Sequence, residues 1–295
     1  MNYEEANYLQ LLNAIITAGS KRSDRTGVGT LSIFGTQLRF SLADNKMPMI
    51  TTKKMFARGV IEELLLFLRG ETNTKILEAK SVNIWKGNTS REFLDKRGLT
   101  GLPEGDMGKT YGWQWRKFGA DQETLFDRPT QYFEQGIDQL SQVINSLKND
   151  PHGRRHIITA WNPLQLDECA LPPCHCFMQF YVNDGELSCQ FYMRSSDYFL
   201  GAPFNILSYA ILTRIIAQTV GLHPGELIFT GGDTHVYANH IEQAREQISR
   251  EPYPFPIMII NKQLKSVEDI EALCFDNFEF NGYECHPAIK AEMAI

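Results

Sequence analysis

Of the six cysteines in the chain, Cys174 stands in the segment best suited to covalent chemistry. It follows Leu171-Pro172-Pro173, where the proline rings stiffen the approach, and it precedes a run that reads as a strand. Arg154, Arg155 and Arg194 lie on either side of it in the sequence, and a neighbouring guanidinium favours the thiolate, the nucleophilic form of cysteine. The residues admit a nucleophile at this position. They also admit a buried, inert thiol, the reading that better suits Cys189 and Cys274. A cysteine–histidine hydrolase pair is disfavoured because His175 is the next residue, and neighbours on an extended chain point to opposite faces. The same alternation, with no second Cys/His cluster at ligand spacing, argues against a metal site at Cys174-His175-Cys176. Gly27-Val28-Gly29 lacks the third glycine and the strand-to-helix setting of a dinucleotide-binding turn, and no phosphate loop ending in Gly-Lys-Ser/Thr occurs. Glu62 and Glu63 precede Leu64-Leu65-Leu66-Phe67-Leu68. They form either a solvated face or a carboxyl set against apolar walls, where desolvation raises its pKa.

These groups must be held by a fold of ordinary soluble composition. The chain has 295 residues, 43% hydrophobic, 11% aromatic and 22% charged, with a net charge of −6. That excludes general disorder, collagen-like repeats and a disulfide scaffold. A mildly acidic balance argues against general nucleic-acid or anionic-membrane binding, although a few arginines can still build a local anion pocket. Unevenly spaced cysteines in apolar settings suit reduced thiols, and Met1-Asn2-Tyr3-Glu4-Glu5 lacks a signal core, so a cytoplasmic location is expected. The run Phe204 to Val220 is interrupted by Arg214 and reads as a buried helix, not a membrane span.

Periodicity supplies the elements. Leu31 to Leu42 alternates as a strand, and Arg58 to Leu68 places Ile61, Leu64, Leu65 and Leu68 on one helical face. Gln135 to Leu147 repeats the helical pattern, and His156 to Trp161 is a short strand. Cys176 to Val182 and Leu187 to Met193 flank Asn183-Asp184-Gly185-Glu186, a hairpin signal. A second helix is predicted over about His235 to Ser249. Gly87 to Phe133 is glycine-rich and aperiodic, the pattern of a long insertion. Strands and helices without regular βαβ alternation predict an α+β fold in a single domain over 1–295, with a mixed, mainly antiparallel sheet.

Several ordered motifs carry a resemblance. Arg154-Arg155-His156-Ile157-Ile158-Thr159-Ala160-Trp161-Asn162-Pro163 is followed by Ala170-Leu171-Pro172-Pro173-Cys174-His175 and Arg194-Ser195-Ser196-Asp197. Leu200-Gly201-Ala202-Pro203-Phe204-Asn205 and Gly232-Asp233-Thr234-His235-Val236-Tyr237 complete the series. Together they resemble the thymidylate synthase family from Asp24-Arg25-Thr26-Gly27 to Met293-Ala294-Ile295, with the insertion at about 88–118 similar to the longer, animal-type members.

The resemblance implies a homodimeric enzyme that methylates dUMP with 5,10-methylenetetrahydrofolate and needs no metal. Cys174 is implied as the nucleophile that adds to C6 of the pyrimidine. Arg25, Arg194 and Ser195 match phosphate-binding positions, and Arg154 and Arg155 match arginines supplied by the partner subunit. Arginine suits that task because its planar fork pairs with phosphate oxygens. Asn205 matches the base-reading asparagine, whose amide accepts from N3–H and donates to O4 of uracil; it also reads as an N-cap for the following helix. His235 and Tyr237 match positions at the sugar hydroxyl. Glu63 is implied as the proton relay and Tyr111 as the group that, with water, removes the C5 proton. Asp197 is implied to bond the pterin; Ile84, Trp85, Leu171 and Ile295 to wall the folate; and Lys53 to face its glutamate tail.

Four places depart from the family pattern: Met193 before Arg194-Ser195, Lys109-Thr110 before Tyr111, Leu207 after Phe204-Asn205-Ile206, and Leu66. Met193 and Tyr111-Gly112-Trp113 are similar to pyrimidine nucleotide hydroxymethylases, which hydrate the methylene intermediate where a synthase excludes water until hydride arrives. Retained Trp85 and an apolar C-terminus favour exclusion. The alternatives are a dUMP hydroxymethylase and a non-catalytic nucleotide-binding relative.

Overall fold

A six-stranded mixed sheet is the frame on which the cysteine and its arginine are mounted. The computed structural model describes residues 2–24, 27–120 and 136–292. Arg25, Gln135 and Ile295 lie outside the described residues, as does the end of the Gly87 to Phe133 stretch. The sheet order is β1 (Ser20–Arg22), β2 (Thr30–Ser41), β6 (His223–Tyr237), β5 (Glu186–Asp197), β4 (His175–Asn183) and β3 (Ile157–Thr159). Neighbours run antiparallel except β5 and β6, which are parallel.

Alternation sets the two faces of this sheet. Met178, Phe180 and Val182 of β4 and Leu187, Cys189 and Phe191 of β5 point into the core, while Phe177, Tyr181 and Tyr192 point outward. The hairpin between them closes through Asp184 (φ 48°) and Gly185 (φ 78°), the positive pair that a type I′ turn requires. Against the inner face packs a 20-residue helix, α7 (Gly201–Val220), buried on nearly every side and ended by Gly221 in the left-handed region (φ 77°). It begins before the predicted Phe204, because Asp197 Oδ1 accepts the Leu200 N–H at 3.0 Å. Asn205 therefore lies inside the helix, and the N-cap reading is set aside.

Around this core stand α1 (Tyr3–Ala18), α2 (Ala57–Leu68), α3 (Lys75–Glu78), α4 (Arg91–Lys96), α5 (Tyr111–Lys117), α6 (Gln139–Asn149), α8 (Ile241–Ile248) and α9 (Val267–Glu271). A small second sheet pairs β7 (Ile257–Ile260) with β8 (Phe278–Asn281). The fold is α+β, as the element pattern predicts.

The helix predicted over His235 to Ser249 is shorter. His235 and Val236 belong to β6, where they pair with Ser32 and Leu31 of β2, and the helix α8 begins only at Ile241. Ladder pairing with a distant strand overrides the local helical spacing. Cys274, expected to be buried, is exposed, whereas Cys189 is enclosed and burial pushes its thiol up to about 12. Among the described residues no helix is long and apolar enough to cross a membrane.

Candidate active site

Cys174 sits immediately before β4, half-buried, and its backbone is fixed from two sides. Its N–H donates to Tyr111 Oη at 2.9 Å, and its carbonyl accepts the Arg194 N–H at 2.9 Å. The prolines do more than stiffen the chain. Their carbonyls hold the Arg194 guanidinium, Nε on Pro173 O at 2.8 Å and Nη2 on Pro172 O at 2.9 Å. So anchored, and lying over the Trp161 ring at 5.5 Å, the guanidinium places Nη2 3.8 Å from Cys174 Sγ. A fixed cation beside the sulfur stabilises negative charge on it.

A buried aromatic group lies behind the thiol. Tyr111 stacks on His175 with centroids 4.0 Å apart and on Phe67 at 5.0 Å. His175 shares a hydrogen bond between Nδ1 and Tyr209 Oη at 2.8 Å, and burial pushes its imidazole down to about 3, so the ring is neutral. Burial also holds the Tyr111 phenol well above its usual range. Glu63 accepts the Trp85 indole N–H at 2.7 Å, and burial raises its carboxyl to about 7. Glu62, the adjacent acid, is not a solvated charge either: it is 4% exposed and pairs with Lys80 Nζ at 2.6 Å.

In front of Cys174 opens a cavity of about 780 Å³ bordered by Arg194, Ser195, Leu171 and Tyr237. Phe93 and Lys96 of α4 and Arg97 just beyond it form another part of its wall, a contribution that sequence reasoning missed. His175 and Tyr209 were missed too. Their partners are distant in the chain: His175 meets Tyr111 and Tyr209, and Tyr209 stacks on Phe191.

The other sequence-predicted residues are distributed as follows. Asn205 is half-buried in α7, close to Gly201. His235 Nδ1 lies 3.2 Å from Asp233 Oδ1, and its ring meets Tyr237 edge-on at 5.3 Å. Asp197 is engaged by the Leu200 N–H. Ile84 is half-buried beside Trp85 in the chain. Lys53 is buried, its ammonium on the Phe199 carbonyl and 3.9 Å from the Phe199 ring centroid, and burial pushes it down to about 7 against the pull of Asp197. Arg154 and Arg155 are exposed ahead of β3 and do not line the cavity. Met193, Leu66 and Leu207 are buried in the core, and Met193 pairs with His175 across β4 and β5. Lys109 is turned to Glu168, 2.7 Å away, and Thr110 Oγ1 donates to Leu171 O at 3.3 Å. Among the described residues no three His, Cys, Asp or Glu side chains group as metal ligands.

Fold and site together define an α+β protein with a cysteine–arginine pair at the floor of a cavity. The thymidylate synthase family model matches residues 6–295, and the chain belongs to that family. It is 50% identical over 291 residues to the thymidylate synthase of Homo sapiens, covering 99% of this chain and 91% of that protein. It is 51% identical over 304 residues to the thymidylate synthase of Saccharomyces cerevisiae, covering 100% and 98%. Against the bifunctional dihydrofolate reductase-thymidylate synthase of Leishmania major it is 51% identical over 296 residues, covering 100% of this chain. It spans only 56% of that longer relative, about half of its length.

Proposed function

We propose that the chain converts dUMP and 5,10-methylenetetrahydrofolate into dTMP and dihydrofolate. The observation that carries this reading is Cys174 Sγ held 3.8 Å from the anchored Arg194 guanidinium at a cavity floor. In the proposed sequence the Cys174 thiolate adds to C6, and C5 attacks the methylene carbon carried by the folate. Tyr111, with water, takes the C5 proton, while Glu63 moves protons at the pyrimidine O4 and the folate N5. Loss of the C5 proton expels folate N5 and leaves an exocyclic methylene. Hydride from the released tetrahydrofolate reaches that carbon, giving dihydrofolate, and elimination of Cys174 restores the C5–C6 double bond and releases dTMP. A Glu63 carboxyl at about 7 suits a group that must both give and take a proton near neutrality.

For binding, Arg25, Arg194 and Ser195 take the phosphate with the partner's pair of arginines at positions 154 and 155, and His235 and Tyr237 take the sugar. Asp197 bonds the pterin, and Ile84, Trp85, Leu171 and Ile295 wall the folate. Lys53 reaches the glutamate tail only by leaving Phe199. The insertion at about 88–118 is part of the same reading, and so is a cytoplasmic location.

Reduction of the intermediate, not hydration, is supported by the names of the human and yeast relatives and by Trp85, which is only 9% exposed. The test is to supply both substrates, follow dihydrofolate absorbance and weigh the nucleotide. Hydroxymethylated dUMP without dihydrofolate would overturn the proposal in favour of a hydroxymethylase, and no turnover would favour a non-catalytic relative.

Asn205 is proposed to read uracil. Asn205→Asp loses the amide donor to O4 and gains an acceptor for the exocyclic amine of cytosine, so the dUMP/dCMP ratio of kcat/KM is expected to fall by about 100-fold or more. An unchanged ratio would show that Asn205 does not read the base.

A homodimer is supported by the outer sheet face, where Phe177, Tyr181 and Tyr192 are exposed at 38%, 63% and 37%. It is supported too by the position of Arg154 and Arg155 outside their own cavity. If each site borrows them from its partner, mixing Cys174→Ala and Arg155→Ala chains leaves one intact site per hybrid. Two inactive proteins should then recover about a quarter of wild-type activity on random exchange between the copies of a symmetric dimer. Failure to recover any activity after verified exchange would refute the shared site.

A further inference from the structure

The Cys174-His175-Cys176 triplet contains a second thiol for which the proposed reaction has no use. His175 pairs with Met193 and Phe177 with Tyr192, so two residues on β4 span one step on β5 and Cys176 is the extra residue of a bulge. Its sulfur is turned back along the chain, 3.4 Å from Cys174 O and 3.3 Å from Pro173 O. Arg194, which lies 3.8 Å from Cys174 Sγ, binds the same Pro173 carbonyl at 2.8 Å. The two sulfurs thus flank one assembly, Cys176 Sγ on the Pro173 carbonyl and Cys174 Sγ beside the guanidinium that the same carbonyl holds. Residues two apart on an extended strand have Cα atoms separated by about 6.6 Å. That falls within the roughly 4.4–6.8 Å Cα separation that a disulfide tolerates.

We propose that Cys176 is the resolving thiol for Cys174, so that hydroperoxides close a Cys174–Cys176 disulfide and switch the site off reversibly. The Cys174 thiolate attacks the peroxide, the O–O bond breaks, and a sulfenic acid forms as hydroxide or alkoxide leaves and is protonated. Cys176 loses its proton and attacks the sulfenic sulfur; the S–O bond breaks and the oxygen departs as water. Two thiols are oxidised by two electrons while one hydroperoxide is reduced to water or alcohol. The order follows from position. Cys174 borders the open cavity, whereas Cys176 is 7% exposed and burial holds its thiol above the usual range, with Arg194 pulling the other way. Two competing thiols are poorly placed. Cys189 is fully enclosed in the core, and the Cys169 sulfur is turned to the carbonyls of Lys109 and Gln165, 3.3 Å from each.

The full chain is treated with dilute hydrogen peroxide, its remaining thiols are blocked, and the peptide bearing Cys174 and Cys176 is weighed; this readout does not depend on turnover, so it stands or falls separately from the proposed function. Wild type is expected to lose two blockable thiols per chain, to carry the disulfide within that one peptide, and to regain its thiols with a dithiol reductant. Activity, where present, should be lost and restored in step. Cys176→Ser, with unchanged activity before oxidation, is expected to lose that recovery and to carry Cys174 as sulfinic acid. Sulfinic acid at Cys174 in the wild type, a disulfide from Cys174 to any other cysteine of this chain or of a second copy, or equal recovery in Cys176→Ser would overturn the proposal. If the variant does not fold, the wild-type peptide mass alone decides.

Discussion

Cys174→Ala is expected to lower turnover by on the order of 10⁴-fold or more while leaving dUMP binding measurable. In the proposed reaction C5 is not nucleophilic until a thiolate has added at C6, so no other group replaces the lost bond. Binding should survive because the Arg194 guanidinium is held by the carbonyls of Pro172 and Pro173 and does not depend on the sulfur for its position. The methyl group of alanine also leaves the hydrogen bond from the residue 174 N–H to Tyr111 in place. Turnover by single-turnover assay and dUMP affinity by calorimetry separate the two effects. Residual activity near wild type would remove Cys174 as the nucleophile. Loss of binding and activity together would mean that the sulfur organises the site as well.

Glu63→Gln has the next largest expected effect, a fall in kcat of about 10²–10⁴-fold, because an amide keeps the size of the side chain but cannot relay a proton. The pH dependence should change with it. A carboxyl at about 7 is half-protonated near neutrality, so a limb of the wild-type kcat profile should fall near that value and be absent from the variant. Stability provides an independent check of sign. Burial raises the folded-state value from an ordinary 4.5 to about 7, so the native protein holds this proton more tightly than the unfolded chain. The contribution is fully present below about 4.5 and is lost as pH rises through about 7. Glu63→Gln should therefore gain stability over wild type on moving from pH 5 to pH 8.5, by at most about 3 kcal/mol. Urea denaturation at the two pH values measures it. No relative gain would show that the carboxyl is not held neutral by burial.

Much of the fold was legible because its signals are local. The positive-φ turn at Asp184-Gly185, the alternation of β4 and β5 and the apolar length of α7 each lie within one short window. Where a window was misread, a distant segment was responsible. β6 continues through His235 because β2, some two hundred residues earlier, offers it a ladder. Lys53, which by composition alone belongs on the surface, is buried because the Phe199 carbonyl and ring receive its ammonium.

The same division applies to the site. The sequence by itself determined which groups are chemically available: a proline-led thiol at Cys174, arginines to pair with an anion, an acid entering an apolar run at Glu63, and an order of motifs that matches one family. Only the tertiary structure decided what those groups are poised to do. Arg194 stands beside the sulfur because two proline carbonyls aim it there, and Tyr111 reaches the Cys174 amide from 63 residues away. Glu63 is raised toward neutrality by burial against the indole of Trp85, whereas Glu62 is paired with Lys80. The bulge that points Cys176 back at Cys174 arises from pairing across strands. Composition and spacing specify donors, acceptors and charges. Protonation, orientation and proximity depend on desolvation and on contacts between segments far apart in the chain, and those exist only once the chain has folded.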